Sequence, residues 1–362
     1  MQASAVDTNS MVSIVLPVFN GERYLRQTLD SILAQDYAAF EILCVNDCST
    51  DRSADILEAY RRDDDRVVVL TTPENLGISP KSVAFALPHM RGRYFLYMSQ
   101  DDLLSKDCLL RLVERSRETG ADAVIPDVAF YIESETAQPR PTLAGLRGDR
   151  SVILQPREAV ALALDCTIPG NALWNADLVR RLGIQVFGTY ADEYTVRVWF
   201  MNCNRVAFAS GVFFYRQDNP NAITKKLTAK TFDRAENHLV LYKFLKDNRF
   251  EQSLYRKELL DCVYLLYHLQ RLVDDGRYQF PNDDREDARA RIAKCVRAIQ
   301  DTRCLSDSLF SRRLLVKLLA IKLGYGPFVL AVRGATWLRG ALRATGRVEA
   351  PLVSSVEEIP HW

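Results

Sequence analysis

Val12-Ser13-Ile14-Val15-Leu16-Pro17-Val18-Phe19-Asn20-Gly21-Glu22-Arg23-Tyr24-Leu25 opens on a short β-branched run, passes through turn formers and runs into a helical pattern from Glu22 to Ala34. The same pairing recurs three times. Phe40 to Val45 precedes Ser53 to Tyr60, Arg66 to Leu70 precedes Ser79 to Leu87, and Tyr94 to Met98 precedes Lys106 to Arg117. Strands alternating with helices call for a parallel, doubly wound sheet. Ligands in that architecture sit beyond the carboxyl ends of the strands. The segments to read closely are therefore Pro17 to Gly21, Asn46 to Asp51, Thr71 to Gly77 and Ser99 to Asp102.

Working outward, Ala121 to Ile132 reads as a further strand and the polar stretch 133–150 as an exposed loop. A helix beginning near Pro156, a Trp- and Asn-containing patch at Gly170 to Asn175 and a β-rich run from Arg205 to Arg216 follow. After about Thr228 only long helical periodicities remain: Thr231 to Lys246, Gln252 to Leu272, Asp284 to Ile299 and Leu309 to Leu323, with Asp274 to Asp284 as a connection. The expected division is 11–227 for the α/β domain and 228–348 for a helical one. No internal repeat or low-complexity segment is visible.

The 362 residues are 48% hydrophobic and 26% charged, a globular composition. Lys and Arg (47) nearly cancel Asp and Glu (46), which excludes a nucleic-acid binder working through bulk charge. That balance hides a basic tail: Ser311 to Val348 carries eight basic residues and no acidic one. Eight dispersed cysteines without a CxxC pair read as reduced thiols of an intracellular protein. The first eleven residues lack a secretory pattern. No apolar stretch reaches the roughly 18 to 20 residues that span a bilayer, since Lys322 and Arg333 interrupt the best candidates. A cytoplasmic protein is expected.

Ser99-Gln100-Asp101-Asp102 directly follows the apolar run Tyr94 to Met98. Adjacent carboxylates at a strand end suit a hard divalent cation carrying a diphosphate. The pair equally suits capping of the helix beginning near Lys106, and taken alone capping is the commoner case. After the second strand, Asp47 can accept hydrogen bonds from a base or ribose, whereas Ser49, Thr50 and Asp51 read as caps. Neither GxGxxG nor GxxxxGK[ST] occurs, which argues against a dinucleotide dehydrogenase or a P-loop NTPase. His89, His238, His268 and His361 show no metal-ligand spacing, and no GxSxG elbow is present. Trp174, Trp199 and Tyr190 can stack on a sugar, though aromatics at such positions are more often core.

The run from Val12 to Leu25, with Ser31 to Gln35, Val45 to Asp51, Asn75-Leu76-Gly77-Ile78-Ser79 and Gln100-Asp101-Asp102, resembles the family-2 glycosyltransferases of the GT-A fold over about the first 105 residues. Weaker resemblance continues through Gly170 to Trp174, Ala191 to Tyr194 and Tyr215-Arg216. The resemblance implies a GT-A, Rossmann-like, mostly parallel sheet flanked by helices, followed by an α-helical C-terminal domain. It implies an inverting transfer of sugar from a nucleotide-diphosphate donor to a glycan or lipid-linked acceptor, in bacterial surface polysaccharide assembly. Pro17, Phe19 and Glu22 would line the nucleotide, with Asn46, Lys81 and Gln100 beside it. Asp47 would hold the base, Asp101 would ligate Mn²⁺ or Mg²⁺, and Asp102 would face the donor sugar or acceptor. The family's catalytic-base motif falls on Ala191-Asp192, giving the base role to Asp192 with Glu193 as fallback. Lys225 or Lys226 would reach the diphosphate.

Three departures from the family pattern stand out. Ser99 occupies the first acidic motif position, Asn46 replaces the first Asp of a pair, and Ser79-Pro80-Lys81-Ser82-Val83 replaces the usual Arg-Asn, with Lys81 as substitute cation. Ser99 motivates a non-enzymatic alternative, a degenerate nucleotide- or glycan-binding protein. A sugar nucleotidyltransferase is the other alternative, although Val18-Phe19-Asn20-Gly21 lacks its glycine-rich loop. In the tail, leucines and valines set against Arg312, Arg313, Lys317, Arg333, Arg339 and Arg343 make amphipathic basic helices. They suit an anionic membrane surface, making the protein peripheral on the cytoplasmic face, and equally suit domain packing with a solvated basic face.

Overall fold

A computed structural model describes residues 10–134, 141–222, 225, 227–275, 284–308 and 312–344, with the backbone alone for 308 and 338–344. The chain divides into two units, Met1–Phe187 with Ala191–Asn219, and Gly188–Tyr190 with Pro220–Trp362.

The first unit begins with the alternation read from the sequence: β1 (Val12–Val18), α1 (Leu25–Leu33), β2 (Phe40–Asn46), α2 (Ser53–Asp63), β3 (Val67–Thr71), α3 (Ser79–Ala86) and β4 (Tyr94–Tyr97). These four strands are parallel, with Val12 opposite Phe40 and Tyr94, and Ile42 opposite Val67. Both faces of β1 and β2 are covered, so the strands read as continuous apolar runs. Helix α1 buries Leu25, Leu29 and Ile32, one face at helical spacing.

After β4 come β5 (Leu103–Leu104), α4 (Cys108–Thr119), β6 (Ala123–Tyr131), α5 (Pro156–Leu164), β7 (Leu173–Asn175), α6 (Ala176–Leu182), α7 (Ala191–Asn202) and β8 (Val206–Arg216). The sheet order is β3-β2-β1-β4-β7-β6-β8-β5. It is mixed rather than uniformly parallel: β7 runs antiparallel between β4 and β6, and β5 antiparallel beside β8. Strand β7 covers the edge that β4 would otherwise leave open to foreign strands and joins the two halves of the sheet. Pro126 has no N–H for the β6–β8 ladder, and the register shifts there between Ile125 and Asp127. On the β8 side of that shift, a Cβ on Gly211 would meet Cys108 Cα at 2.7 Å. The polar stretch after β6 is not simply an exposed loop. The buried Asp127 carboxylate accepts from Gly145 N–H (3.1 Å) and Arg150 Nε (3.0 Å), tying its far end to the strand.

The second unit is helical: α8 (Asp233–Asp247), α9 (Gln252–Asp274), α10 (Asp284–Gln300), α11 (Arg312–Lys322) and α12 (Tyr325–Ala344). Its core is built from stripes such as Leu259, Val263 and Leu266 on α9, Ile292, Val296 and Ile299 on α10, Leu314, Leu318 and Ile321 on α11, and Phe328 and Val332 on α12. Most of the expected Asp274 to Asp284 connection, Leu309 to Ser311, Arg347 and His361 lie outside the described residues, as do the side chains of Arg339 and Arg343. None of the eight cysteines is in a disulfide. Among the described residues no helix is long and apolar enough to cross a membrane.

Candidate functional site

Because β1 to β4 are parallel, the loops after them emerge at one edge of the sheet. That edge is wired together by polar side chains. The loop after β1 is pinned by Gln100, whose Oε1 accepts from Phe19 N–H (2.9 Å) and whose Nε2 donates to Phe19 O (3.0 Å). A Cβ on Gly21 would sit 2.3 Å from Gln100 Oε1, so this clamp requires glycine there. Phe19 itself is 47% exposed, a large ring facing solvent beside the strand ends. Pro17 is the penultimate residue of β1 and half-buried.

Glu22 and Asp51 join the first two loops reciprocally. Glu22 N–H donates to Asp51 Oδ2 (3.0 Å), and Glu22 Oε2 accepts from Arg52 N–H (2.9 Å) at the start of α2. Desolvation acts upward on the Asp51 carboxyl, but hydrogen bonds from Ser53 and Glu22 outweigh it and hold the group below its ordinary value. Asn46 Oδ1 accepts from Ser49 N–H (3.1 Å). Asp47 is buried, and its Oδ1 accepts from Thr72 Oγ1 (3.0 Å) and Leu76 N–H (2.8 Å), so one carboxylate orders the loop between β3 and α3. Lys81 is exposed, the third residue of α3.

The loop after β4 holds the acidic pair. The capping alternative for Asp101 and Asp102 does not stand: α4 begins at Cys108 and its N-cap residue is Asp107. Instead the pair is gripped by β8. Asp102 Oδ1 accepts from Arg216 N–H (3.1 Å), Asp101 O accepts from Arg216 Nε (2.8 Å), and Asp101 Oδ2 accepts from Asn219 Nδ2 (2.6 Å). The Arg216 guanidinium has no solvent exposure; it also pairs with Asp218 (3.2 Å) and lies over the rings of Tyr24 and Tyr131, 4.4 and 4.8 Å from their centroids. Burial, reinforced by the neighbouring Asp101 charge, pushes the Asp102 carboxyl well above the carboxylate range.

Asp192 is the second residue of α7, in its first turn. Desolvation and then the Glu193 charge push its carboxyl up to about 6. It lies within electrostatic reach of Tyr97, the last residue of β4: burial and then the Asp192 charge push the Tyr97 phenol upward, while side-chain hydrogen bonds with Ser99 and Ser79 act the other way. Asp192 therefore shares the strand-end edge with the acidic pair. Lys225 belongs to the second unit and Lys226 lies outside the described residues.

Sequence reasoning named the acidic pair but missed its anchor. Arg216 entered only as part of a weak resemblance, although an arginine closing an apolar strand, with Asp218 and Asn219 just after it, is the signal that was available. Trp174 and Trp199 are core, packed edge to face at 5.1 Å with Trp199 Nε1 donating to Gly183 O (2.9 Å). Tyr190 falls in the second unit.

For a divalent cation the donor set is lean. Each carboxylate has one oxygen engaged, Asp102 Oδ1 by Arg216 N–H and Asp101 Oδ2 by Asn219 Nδ2, but Asp102 is buried and Asp101 only half-buried, so Asp101 is the one whose remaining oxygen suits such an ion, in the manner of a site that takes one protein carboxylate and completes its shell from phosphate and water. Among the described residues, the cluster of three metal-capable side chains is His238, Glu258 and Asp261 in the second unit. It is internally neutralised: His238 Nδ1 faces Glu258 at 2.7 Å and Asp261 pairs with Lys257 at 3.2 Å.

Residues 13–180 match the sequence profile of Glycosyl transferase family 2. Glycosyltransferase GlyG of Streptococcus pneumoniae serotype 4 is 32% identical over 127 residues, 35% of this chain and 42% of its own length. The poly(ribitol-phosphate) beta-glucosyltransferase of Bacillus spizizenii is 35% identical over 116 residues, 32% of this chain and 18% of its own length. The chain thus spans less than half the length of these curated relatives. The crystal structure of S. aureus TarS 1–349 in complex with UDP aligns with a TM-score of 0.59 at 17% identity, covering 90% of this chain and 91% of that one, a likeness of fold.

Proposed function

We propose, from the premise that residues 13–180 belong to glycosyl transferase family 2, that the chain is an inverting glycosyltransferase acting on a nucleotide-diphosphate sugar. The observation that carries this reading is Gln100-Asp101-Asp102 at the carboxyl end of β4, clamped to the loop after β1 by Gln100 and to β8 by Arg216. The edge where β1, β2 and β4 end is where an open α/β sheet takes its ligand. Phe19 and Pro17 offer an apolar wall, Asp47 a fixed carboxylate for the nucleoside, and Lys81 a cation for phosphate. A poly(ribitol-phosphate) glucosyltransferase among the relatives supports a polymer as acceptor, which we extend to a surface polysaccharide or lipid-linked glycan, glycosylated in the cytoplasm or at the inner face of the membrane.

In the reaction, the acceptor hydroxyl attacks the anomeric carbon as the bond from that carbon to the diphosphate oxygen breaks, so one displacement inverts the centre. Asp192 takes the hydroxyl proton. A carboxyl pushed up to about 6 is a stronger base than an ordinary aspartate and is still ionised at neutral pH, which suits proton transfer during attack. Arg216 acts through others, holding Asp101 and Asp102 in place. Mn²⁺ or Mg²⁺ at Asp101 would supply Lewis-acid stabilisation of charge on the leaving diphosphate.

The test is consumption of nucleotide sugars with Mn²⁺ or Mg²⁺ and a glycan acceptor, with release of nucleoside diphosphate as the readout. Turnover by the wild type that is lost in Asp101→Ala is the expected result. Binding of the donor with no transfer or hydrolysis under any acceptor would favour the degenerate binding protein that Ser99 suggests.

A further inference from the structure

We propose that α11 and α12 seat the chain on an anionic phospholipid bilayer. Each helix has two apolar faces. One packs inward: Leu314, Leu318 and Ile321 on α11, Phe328 and Val332 on α12, all fully buried. The other faces solvent. On α11, Val316, Leu319 and the following Leu323 are spaced i, i+3 and i+7, about 180° around the helix from the buried stripe. On α12, Leu330 and Trp337 are spaced i and i+7, likewise opposite Phe328 and Val332. Val316 is 68% exposed, Leu323 and Trp337 74%, and Leu330 70%. Isolated apolar side chains on a surface are ordinary, but a stripe repeated on two successive helices of one unit marks a face that something covers.

Charge selects the occupant. Residues 311–348 contain eight basic side chains and no carboxylate. Arg333 is held by Asp274 (3.0 Å), Lys322 donates to Gln300 O (2.6 Å), and Lys317 lies over the ring of Tyr267 at 3.8 Å. Arg312 and Arg313, in the first turn of α11, are exposed next to the outward stripe. A second copy of the chain would bring the same positive face against itself. An anionic headgroup layer offers negative charge at its surface and hydrocarbon just beneath, matching arginines beside leucines, and tryptophan favours that boundary. The face stands apart from the transfer reaction, so it is tested without donor or acceptor.

The experiment uses the full chain and vesicles of phosphatidylcholine alone or mixed equally with phosphatidylglycerol, at about 0.1 M salt where charge is only partly screened. The wild type is expected to sediment with the anionic vesicles and not with the neutral ones. Leu323→Ser/Leu330→Ser/Trp337→Ser, at solvent-facing positions, should weaken that binding at least about tenfold, since removing one large apolar side chain from hydrocarbon already accounts for that factor. Trp emission should shift to the blue on the vesicles, and the shift should vanish in Trp337→Phe. Should the triple variant fold poorly, Arg312→Glu/Arg313→Glu must lower anionic binding on its own. Equal sedimentation with both vesicle types, or wild-type binding by the triple variant and the charge-reversal variant, overturns the proposal. So does a concentration-dependent dimer dissolved by the triple variant in the absence of any vesicle binding, which would assign the face to a second copy.

Discussion

The two units place their unusual side chains differently. In the α/β unit, carboxylates gather where parallel strands end, and most are held: Asp47 by Thr72 and Leu76, Asp51 by Ser53 and Glu22, Asp101 and Asp102 by Arg216 and Asn219. In the helical unit Asp307 is likewise held, by Tyr242 and Lys246, and the anomaly is apolar, the outward stripes of α11 and α12. Charge concentrated at a structured strand-end edge points to chemistry, whereas apolar surface left outside points to an interface. Within the first unit, burial raises the carboxyls of both Asp102 and Asp192, whereas hydrogen bonds hold Asp51 below its ordinary value.

Breaking that contrast begins with Asp192. Asp192→Asn should lower turnover by about 10²- to 10⁴-fold, the usual contribution of a general base, with nucleoside diphosphate binding retained by calorimetry. Near-normal turnover would remove Asp192 from the reaction. In the wild type, initial rates should rise with pH through about 6 and level above it, because the base must be ionised.

Arg216→Ala comes next. It keeps the backbone N–H that Asp102 accepts but removes the guanidinium bonds to Asp101 O and Asp218, stripping a side chain that has no solvent exposure, so urea unfolding should report a loss of about 3–5 kcal/mol. Arg216→Lys keeps the charge but not the planar fork that reaches Asp101 O and Asp218 together, and should recover only part of the loss.

A smaller effect has the opposite sign. A carboxyl whose folded value is raised binds its proton more tightly in the folded state, so Asp192 costs stability progressively as pH rises from 3.8 to about 6 and fully above that. Asp192→Asn should therefore be the more stable chain at pH 7, by about 1–2 kcal/mol once partial exposure is allowed for, with the advantage vanishing below the ordinary carboxyl value. Thermal melts at the two pH values check this. An inactive variant that is also destabilised at neutral pH would make Asp192 structural. Smallest of all, Gln100→Leu removes both hydrogen bonds to Phe19 and should weaken nucleoside diphosphate binding by about 1 kcal/mol without unfolding the chain.

The parallel half of the sheet was legible in the sequence because each buried strand is a β-branched run ending in turn formers, and the start of α1 or α2 is marked by the same loops. Strands β5 and β7 were not, since two or three residues carry no period and their antiparallel placement is decided by tertiary pairing alone. The acidic pair was legible as a motif, but whether it capped α4 or met β8 was not, because Arg216 approaches it across 115 residues of sequence. Gln100 was visible as part of the motif and not as a clamp on Phe19. The doubled apolar faces of α11 and α12 looked like ordinary amphipathy in sequence, since only burial separates the inward stripe from the outward one.

The central claim is that the strand-end edge of the first unit is a nucleotide-sugar site, and calorimetric titration with a panel of nucleoside diphosphates and nucleotide sugars, with and without Mn²⁺, tests it most directly. At least one member of the panel should bind, with affinity lowered at least about tenfold in Asp47→Ala, where a buried partner for the nucleoside is lost. No binding across the panel, or an affinity unchanged in both Asp47→Ala and Asp101→Ala, would contradict the account.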